Sequence, residues 1–429
     1  MYKPVHAVEV RIWGQQVGAV ALDPKLRYYA FEYSPGFIAS GVELAPLTMP
    51  LASAAEPFVF TDLPTATYKH LPALLADALP DDFGNALIDA WMASKGVVRD
   101  DITPLDRLAY MGRRGIGALE FRPTRGPSPH ASSAVELAIL VESARRAVHG
   151  DLGDDPQAGA ALKQIIQVGT SAGGARAKAT IAWNPATQEL RAGQFDVDPG
   201  FEHWLLKFDG LGRDSELGSA QGYGRIEYAY HLMARAAAID MAPCRLLEEN
   251  GRAHFMTRRF DRAGNHKLHL QTLCAMAHLD YKQKATHDYS QYLQTINALG
   301  LGREALVQAF RRICFNVVAK NCDDHTKNLA FILAEGGRWR LAPAYDVTFA
   351  YNPRGEWTYQ HLMSVNGEFN DITADDLFAT ADRFGIGTAP QILSEVQEAI
   401  TAWPDFAARA GMTREDAQRL GALHGPLSS

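Results

Sequence analysis

Between about residues 160 and 260 the apolar residues fall in short, strand-length runs broken by turn formers. After 280 they recur at helical spacing, as in "YSQYLQTINALG", "REALVQAFRRICFNVVAK" and "PQILSEVQEAITAW". One helix-like stretch, "GRIEYAYHLMARAAAI", interrupts the strands. A strand-rich half followed by a helix-rich half predicts an α+β chain folded as two lobes with a cleft between them. Three parts are expected. Residues 1–125 are mixed strands and short helices, with strand candidates "AVEVRIW", "RYYAFEY" and "GALEFRP". Residues 126–255 follow the break at Pro123, Gly126, Pro127 and Pro129 and open on a helix, "SAVELAILVESARRAVHG", with Ser133 as its cap candidate and Gly150 beyond its end. Residues 256–429 are mostly helical.

Composition bounds the function. A chain of 429 residues with 47% hydrophobic and 21% charged residues buries a sizeable core in more than one lobe. The formal charge of −7 argues against a protein that grips nucleic acid over its whole surface. Cys244, Cys274, Cys314 and Cys322 form no C-x-x-C pair, which argues against a zinc site or a disulfide framework. The N-terminus alternates polar and apolar residues like a strand rather than a signal peptide, and no run approaches the roughly 18 to 20 apolar residues of a membrane span. A cytoplasmic protein is expected.

The stretch "GTSAGGARAKATIAW" admits two readings. Gly169 to Gly173 match the G-x-S-x-G elbow of a serine hydrolase, which requires a helix directly after the serine. The residues that follow, "AKATIAWNPATQELRAGQF", read instead as strand, turn at Asn184-Pro185 and second strand. A loop of Gly, Ser and Ala entering a hairpin fits a phosphate-binding backbone, because the missing side chains let amides approach. Downstream, "WLLKF" places Lys207 near a strand end, and Glu227 on the helix-like stretch is a candidate partner; Ile226, Tyr230, Met233 and Ala237 mark that helix's apolar face. A Lys–Glu pair of this kind holds a lysine on nucleotide phosphates. The alternative is a snorkelling lysine and one more helix acid.

The most specific signal is "NCDDHTKNLAFIL" followed by "GRWRLAPAYDVTF". Asp323 and Asn328 have the spacing of the Asp and Asn in a kinase catalytic loop, with Asp324 off that spacing by one, and Asp346 follows a turn and a strand as a metal-binding Asp does. One Asp, one Asn and nucleotide phosphates suffice for Mg²⁺. The plain alternative is a polar loop of turn formers. A literal D-F-G at Asp82, Phe83 and Gly84 precedes the phosphate loop and reads as a helix start capped by Asp81 or Asp82.

Taken in order, "VRIWGQQVGAV", "FEYSPGF", "LADALPDDFGN", "GRRGIGALEF", "TSAGGARAKA", "WLLKF", "RRFDR", "CDDHTKN" and "LAPAYDVTF" resemble the HipA-like serine/threonine kinases, toxins of bacterial toxin–antitoxin pairs. The resemblance implies a bilobal protein-kinase-like fold with a strand-rich N-terminal part and an all-helical C-terminal lobe. It implies an ATP- and Mg²⁺-dependent kinase in which Asp323 is the base, Asn328 and Asp346 are metal ligands, and Lys207 meets the ATP phosphates. Ser171, Ala172, Gly173, Gly174, Ala175 and Lys178 would cover those phosphates, Arg258 and Phe260 would meet the adenine, and His325 and Lys327 would complete the nucleotide contacts. Ser171 aligns with a serine that family members phosphorylate on themselves, with Thr170 beside it as a competing acceptor; Asp324 stands where glycine is common. Phosphoserine adds about −1.5 to −2 charges where ATP phosphates belong. The implied partners are a HipB-like helix-turn-helix antitoxin, operator DNA mainly through that antitoxin, and a protein substrate such as an aminoacyl-tRNA synthetase. A kinase-fold binding protein acting as antitoxin-bound co-repressor is the alternative.

Overall fold

The alternation of the first residues builds a sheet. Strands β1 (Ala7–Ile12) and β2 (Gln15–Leu22) are joined by Trp13 and Gly14, both with positive φ (47° and 79°), the two-residue turn whose twist matches an antiparallel pair. The computed structural model describes residues 2–126, 136–149, 165, 176–211, 222–425 and 427. It divides the chain into two compact units. One comprises Met1–Gly212, Arg258–Gln271 and Ile332–Arg338, and the other Arg213–Thr257, Thr272–Phe331 and Trp339–Ser429.

In the first unit β3 (Tyr29–Tyr33) and β4 (Leu119–Arg122) complete an antiparallel sheet of order β3-β2-β1-β4. Helix α1 (Pro35–Ser40) follows β3. The "DFG" segment opens helix α2 (Asp82–Ala93), and Asp81 caps it by accepting the Gly84 amide at 2.7 Å. Helix α3 (Pro104–Met111) starts with a capping box between Thr103 and Asp106, and α4 (Leu137–His149) buries Leu140, Val141, Ala144 and Ala147 at helical spacing. A second antiparallel run has the order β6-β5-β7, from β5 (Lys178–Trp183), β6 (Leu190–Ala192) and β7 (Glu202–Lys207). Its turn is the expected one: the Asn184 side chain accepts the amides of Ala186 and Thr187.

In the second unit α5 (Tyr223–Ala236) buries Ile226, Tyr230, Met233 and Ala237 on one face, as its periodicity predicts. Asn250 and Gly251, with φ of 46° and 77°, close the hairpin of β8 (Cys244–Glu249) and β9 (Arg252–Arg258). Gly224 lets α5 approach it: a Cβ there would stand 1.9 Å from Ala253 O. Helices α6 (Tyr289–Ala298), α7 (Gly302–Val318), α8 (Ala374–Arg383), α9 (Ala389–Thr401), α10 (Trp403–Arg409) and α11 (Arg414–Gly421) share one core in which Tyr230, Phe310, Ile313, Phe315 and Val396 are fully buried.

The C-terminal part is not all-helical. Strands β10 (Arg262–Ala263), β11 (His266–Lys267), β12 (His269–Thr272), β13 (His287–Asp288), β14 (Ala330–Leu333), β15 (Trp339–Leu341) and β16 (Met363–Ser364) lie within 256–429. The physical reason is length. Strands of two to four residues are too short to show alternation, and β14 is buried at every position, so no period of two survives to be read.

Candidate active site

Helix α7 delivers the chain to the polar segment 321–328. The helix ends at Ala319 and Lys320 takes a left-handed backbone (φ 53°), which turns the chain out of the helix. Asn321 Nδ2 donates to Asn316 Oδ1 at 2.9 Å, and Asn316 Nδ2 donates to the Tyr289 hydroxyl at 2.9 Å, so the last turn of α7 and the start of α6 hold the segment. Its backbone is also clasped to the stretch beyond Asp346. Cys322 N donates to Ala350 O, and Ala350 N to Lys320 O, each at 3.1 Å.

Burial separates the two adjacent aspartates. The Asp324 carboxylate is fully buried and accepts the Leu362 amide at 2.7 Å, the Tyr289 hydroxyl at 2.8 Å and His361 Nδ1 at 2.8 Å. His361 Nε2 in turn lies 3.8 Å from Cys322 Sγ. Burial disfavours a charged His361 ring, yet the neighbouring Asp324 carboxylate and Cys322 raise its pKa to about 10, so the pair is an imidazolium–carboxylate at neutral pH. Asp323, by contrast, keeps 48% of its side chain exposed, with His325 Nε2 3.8 Å from Oδ1. An acid whose oxygens are filled by internal donors is poorly placed to receive a substrate hydroxyl; a half-exposed one is open to it.

A 3₁₀ turn over Thr326–Asn328 sets the next group. Asn328 N donates to His325 O at 2.9 Å, and Asn328 Nδ2 donates to Asp323 O at 2.7 Å. That second bond identifies the nitrogen end of the amide and leaves Oδ1 as an oxygen that could face a cation. Thr326 Oγ1 donates to Leu279 O and the Tyr345 hydroxyl to Lys327 O, both at 2.6 Å, anchoring the turn on either side. Lys327 Nζ lies 4.9 Å from the centroid of the Tyr281 ring, which meets the His325 ring at 5.3 Å. Asp346 follows β15 with a left-handed backbone (φ 51°), a conformation that costs a non-glycine residue about 1–2 kcal/mol and is found at functional turns. Among the described residues no three His, Cys, Asp or Glu group as a metal cage. The oxygens of Asp346 and Asn328 fit the smaller demand of Mg²⁺, which keeps waters and takes phosphate oxygens.

The remaining expected residues that the structure describes lie as follows. Glu227 is buried on α5 in the second unit. Lys207 ends β7 and Lys178 opens β5 in the first, and the register sets the two directly opposite each other. Lys178 is buried, with Nζ 3.2 Å from Asp81 Oδ2. Arg258 ends β9 with half its side chain exposed and Nη1 3.4 Å from Glu202 Oε1; Phe260 is half-buried; between them Arg259 N donates to His203 O on β7 at 2.9 Å. Beyond Phe260, Asp261 accepts from Arg259, Arg262 and the Gly117 amide at 2.6 to 2.9 Å. Thr170, Ser171, Ala172, Gly173, Gly174 and Ala175 lie outside the described residues. The second unit thus carries Asp323, His325, Lys327 and Asn328 on one short segment and Asp346 on a later one, and the first sets Lys178 and Lys207 opposite each other on one strand pair.

The engagement of Asp324 and His361 was not legible in sequence, since the partners are 37 residues apart with no motif between them; the second aspartate itself was the one signal.

The model of the HipA-like C-terminal domain matches residues 170–403, and that of the HipA N-terminal domain matches residues 8–122. No curated protein matches. Among solved structures, HipA from a Shewanella oneidensis MR-1 toxin–antitoxin complex with HipB and operator DNA is 17% identical with a TM-score of 0.66, over 97% of this chain and 94% of that one. The Helicobacter pylori proinflammatory kinase CtkA is 13% identical with a TM-score of 0.38, over 59% of this chain and 87% of that one. Among the described residues no helix is long and apolar enough to cross a membrane.

Proposed function

The chain belongs to the HipA family, protein serine/threonine kinases that act as toxins of toxin–antitoxin systems, and from that premise we propose how its own residues carry the reaction. Asp323 is the base. Its side chain is half open to solvent while Asp324 is fully engaged internally, and that contrast is the observation that carries the reading. Asp323 accepts the hydrogen bond of a substrate Ser or Thr hydroxyl, orients the oxygen toward the γ-phosphorus, and takes the proton as the new O–P bond forms and the bond to ADP breaks. Asn328 Oδ1 and the Asp346 carboxylate hold Mg²⁺, which supplies charge neutralisation on the phosphates when bound. Lys207 and Lys178 supply positive charge to the nucleotide phosphates. The backbone and side chains at Arg258 and Phe260 meet the adenine, and His325 and Lys327 border the phosphates.

We further propose that Ser171 is the self-phosphorylated residue, with Thr170 as the competing site. The HipB-bound operator complex of the Shewanella protein supports a HipB-like antitoxin as partner, with operator DNA reached through it. An aminoacyl-tRNA synthetase is the substrate class in this reading. The test is intact-mass spectrometry of wild-type, Asp323→Asn and Asp346→Asn protein after incubation with Mg·ATP, with peptide mapping of added phosphate. Phosphate on Ser171 in wild type alone is expected, with Asp323→Asn still binding nucleotide and Asp346→Asn binding it weakly. Full phosphorylation of either variant removes that residue from its role.

A further inference from the structure

Two lysines facing each other across a strand pair need an anion between or beside them, because directly opposed like charges are destabilising. Lys178 and Lys207 are such a pair, and the structure shows what compensates the first. Asp81 Oδ2 stands 3.2 Å from Lys178 Nζ, with 3% and 2% of the two side chains exposed. The other Asp81 oxygen is fixed, since Oδ1 accepts the Gly84 amide at the start of α2. The carboxylate therefore cannot swing away without uncapping the helix. The match to the HipA N-terminal domain contains Asp81, and the match to the C-terminal domain contains Lys178. The contact is therefore one between the two family domains, within a single compact unit.

We propose that Asp81 is a positioning residue for the nucleotide: it holds the Lys178 ammonium at the mouth of the β5–β7 strand pair, so that the N-terminal domain contributes directly to phosphate binding. The inference rests on the assignment of Lys178 to the phosphates above. A buried lysine without a counter-charge gives up its proton or swings out to water, and either change withdraws it from a phosphate. The burial that keeps the ammonium dry also raises the Asp81 pKa to about 6, against the opposing pull of Lys178 and the Gly84 amide, so near neutral pH the carboxylate is charged.

The experiment is titration calorimetry of Mg·ATP into the full chain as wild type, Asp81→Ser, Lys178→Gln and the double variant. Serine keeps the cap on Gly84 and removes only the charge. Asp81→Ser is expected to weaken Mg·ATP about tenfold, as loss of one charge-assisted contact does, and Lys178→Gln at least as much. The double variant is expected to bind no more weakly than Lys178→Gln alone, because Asp81 acts through the lysine. Adenosine, which has no phosphate, is expected to bind all four equally. Wild-type affinity in Asp81→Ser overturns the proposal, as do additive losses in the double variant. A wild-type chain that binds adenosine but gains nothing from the phosphates overturns the phosphate assignment beneath it instead.

Discussion

Replacing Asp324 by Asn keeps the shape of the side chain and removes its charge, which breaks the ion pair with His361. The wild-type ring is protonated up to about pH 10 in the folded protein, against about 6.5 in an unfolded chain. A raised histidine pKa contributes stability that is fully present below about pH 6.5 and is lost as pH rises through 10. At pH 7 most of that difference still counts, so the pair is worth about 4 kcal/mol, in line with the roughly 3–5 kcal/mol for breaking a buried pair. At pH 9.5, close below the folded value, only about 1 kcal/mol remains. In Asp324→Asn the ring is neutral; the amide oxygen still accepts from Leu362 N, while the amide nitrogen stands where the second oxygen accepted from the Tyr289 hydroxyl and His361 Nδ1, so the pH-dependent part of the loss is the ionisation. Urea denaturation of both proteins at pH 7 and 9.5 is the assay. The gap between them is expected to be large at pH 7 and to shrink at least twofold at pH 9.5, as groups common to both cancel. An equal gap at both values refutes a charged His361, and no gap at pH 7 refutes the ion pair. Loss of kcat at pH 7 with unchanged affinity for ATP is expected alongside, because Asp324 is the residue next to Asp323, the proposed base.

Two further perturbations test the packing. Gly224→Ala places a Cβ 1.9 Å from Ala253 O, so α5 must shift off its hairpin; a loss of about 1–3 kcal/mol in urea denaturation is expected, and wild-type stability would show that the helix is not held there. The two arginines beside Asp261 hold its carboxyl well below the usual carboxylate range against the pull of burial. Such a depressed acid contributes stability above about pH 4 that is lost as pH falls. Asp261→Asn is expected to cost about 3–5 kcal/mol at pH 7, since the side chains of Arg259 and Arg262 stay nearly buried, and the cost should shrink in acid.

What could be read from the sequence had a local cause. The apolar face of α5, the cap at Asp81, the turn at Asn184 and the strand-end place of Lys207 follow from residues a few positions apart, and each is where its spacing puts it. The Asp323–Asn328 spacing is local in the same sense, and the bond from Asn328 Nδ2 back to Asp323 O shows its physical content: five residues close one turn. The short strands of the C-terminal part failed because two to four residues carry no period. The partners of buried charges failed for another reason. Lys178 with Asp81, and Asp324 with His361, join residues far apart in sequence, and nothing in either neighbourhood names the other.

Those two unread contacts have a common logic. Each puts a buried ion pair beside a residue proposed for the chemistry: Asp324 adjoins Asp323, and Lys178 faces Lys207 across the strands. A buried pair is a poor source of net stability compared with well-packed apolar residues, because desolvation offsets most of the attraction. Its geometry, however, is narrow, and a chain segment that must satisfy it has few alternative positions. Asp324, with three donors converging on one carboxylate, leaves the peptide that carries Asp323 little freedom to rotate. The loop is thereby pinned from inside, which preorganises Asp323 for the role proposed for it.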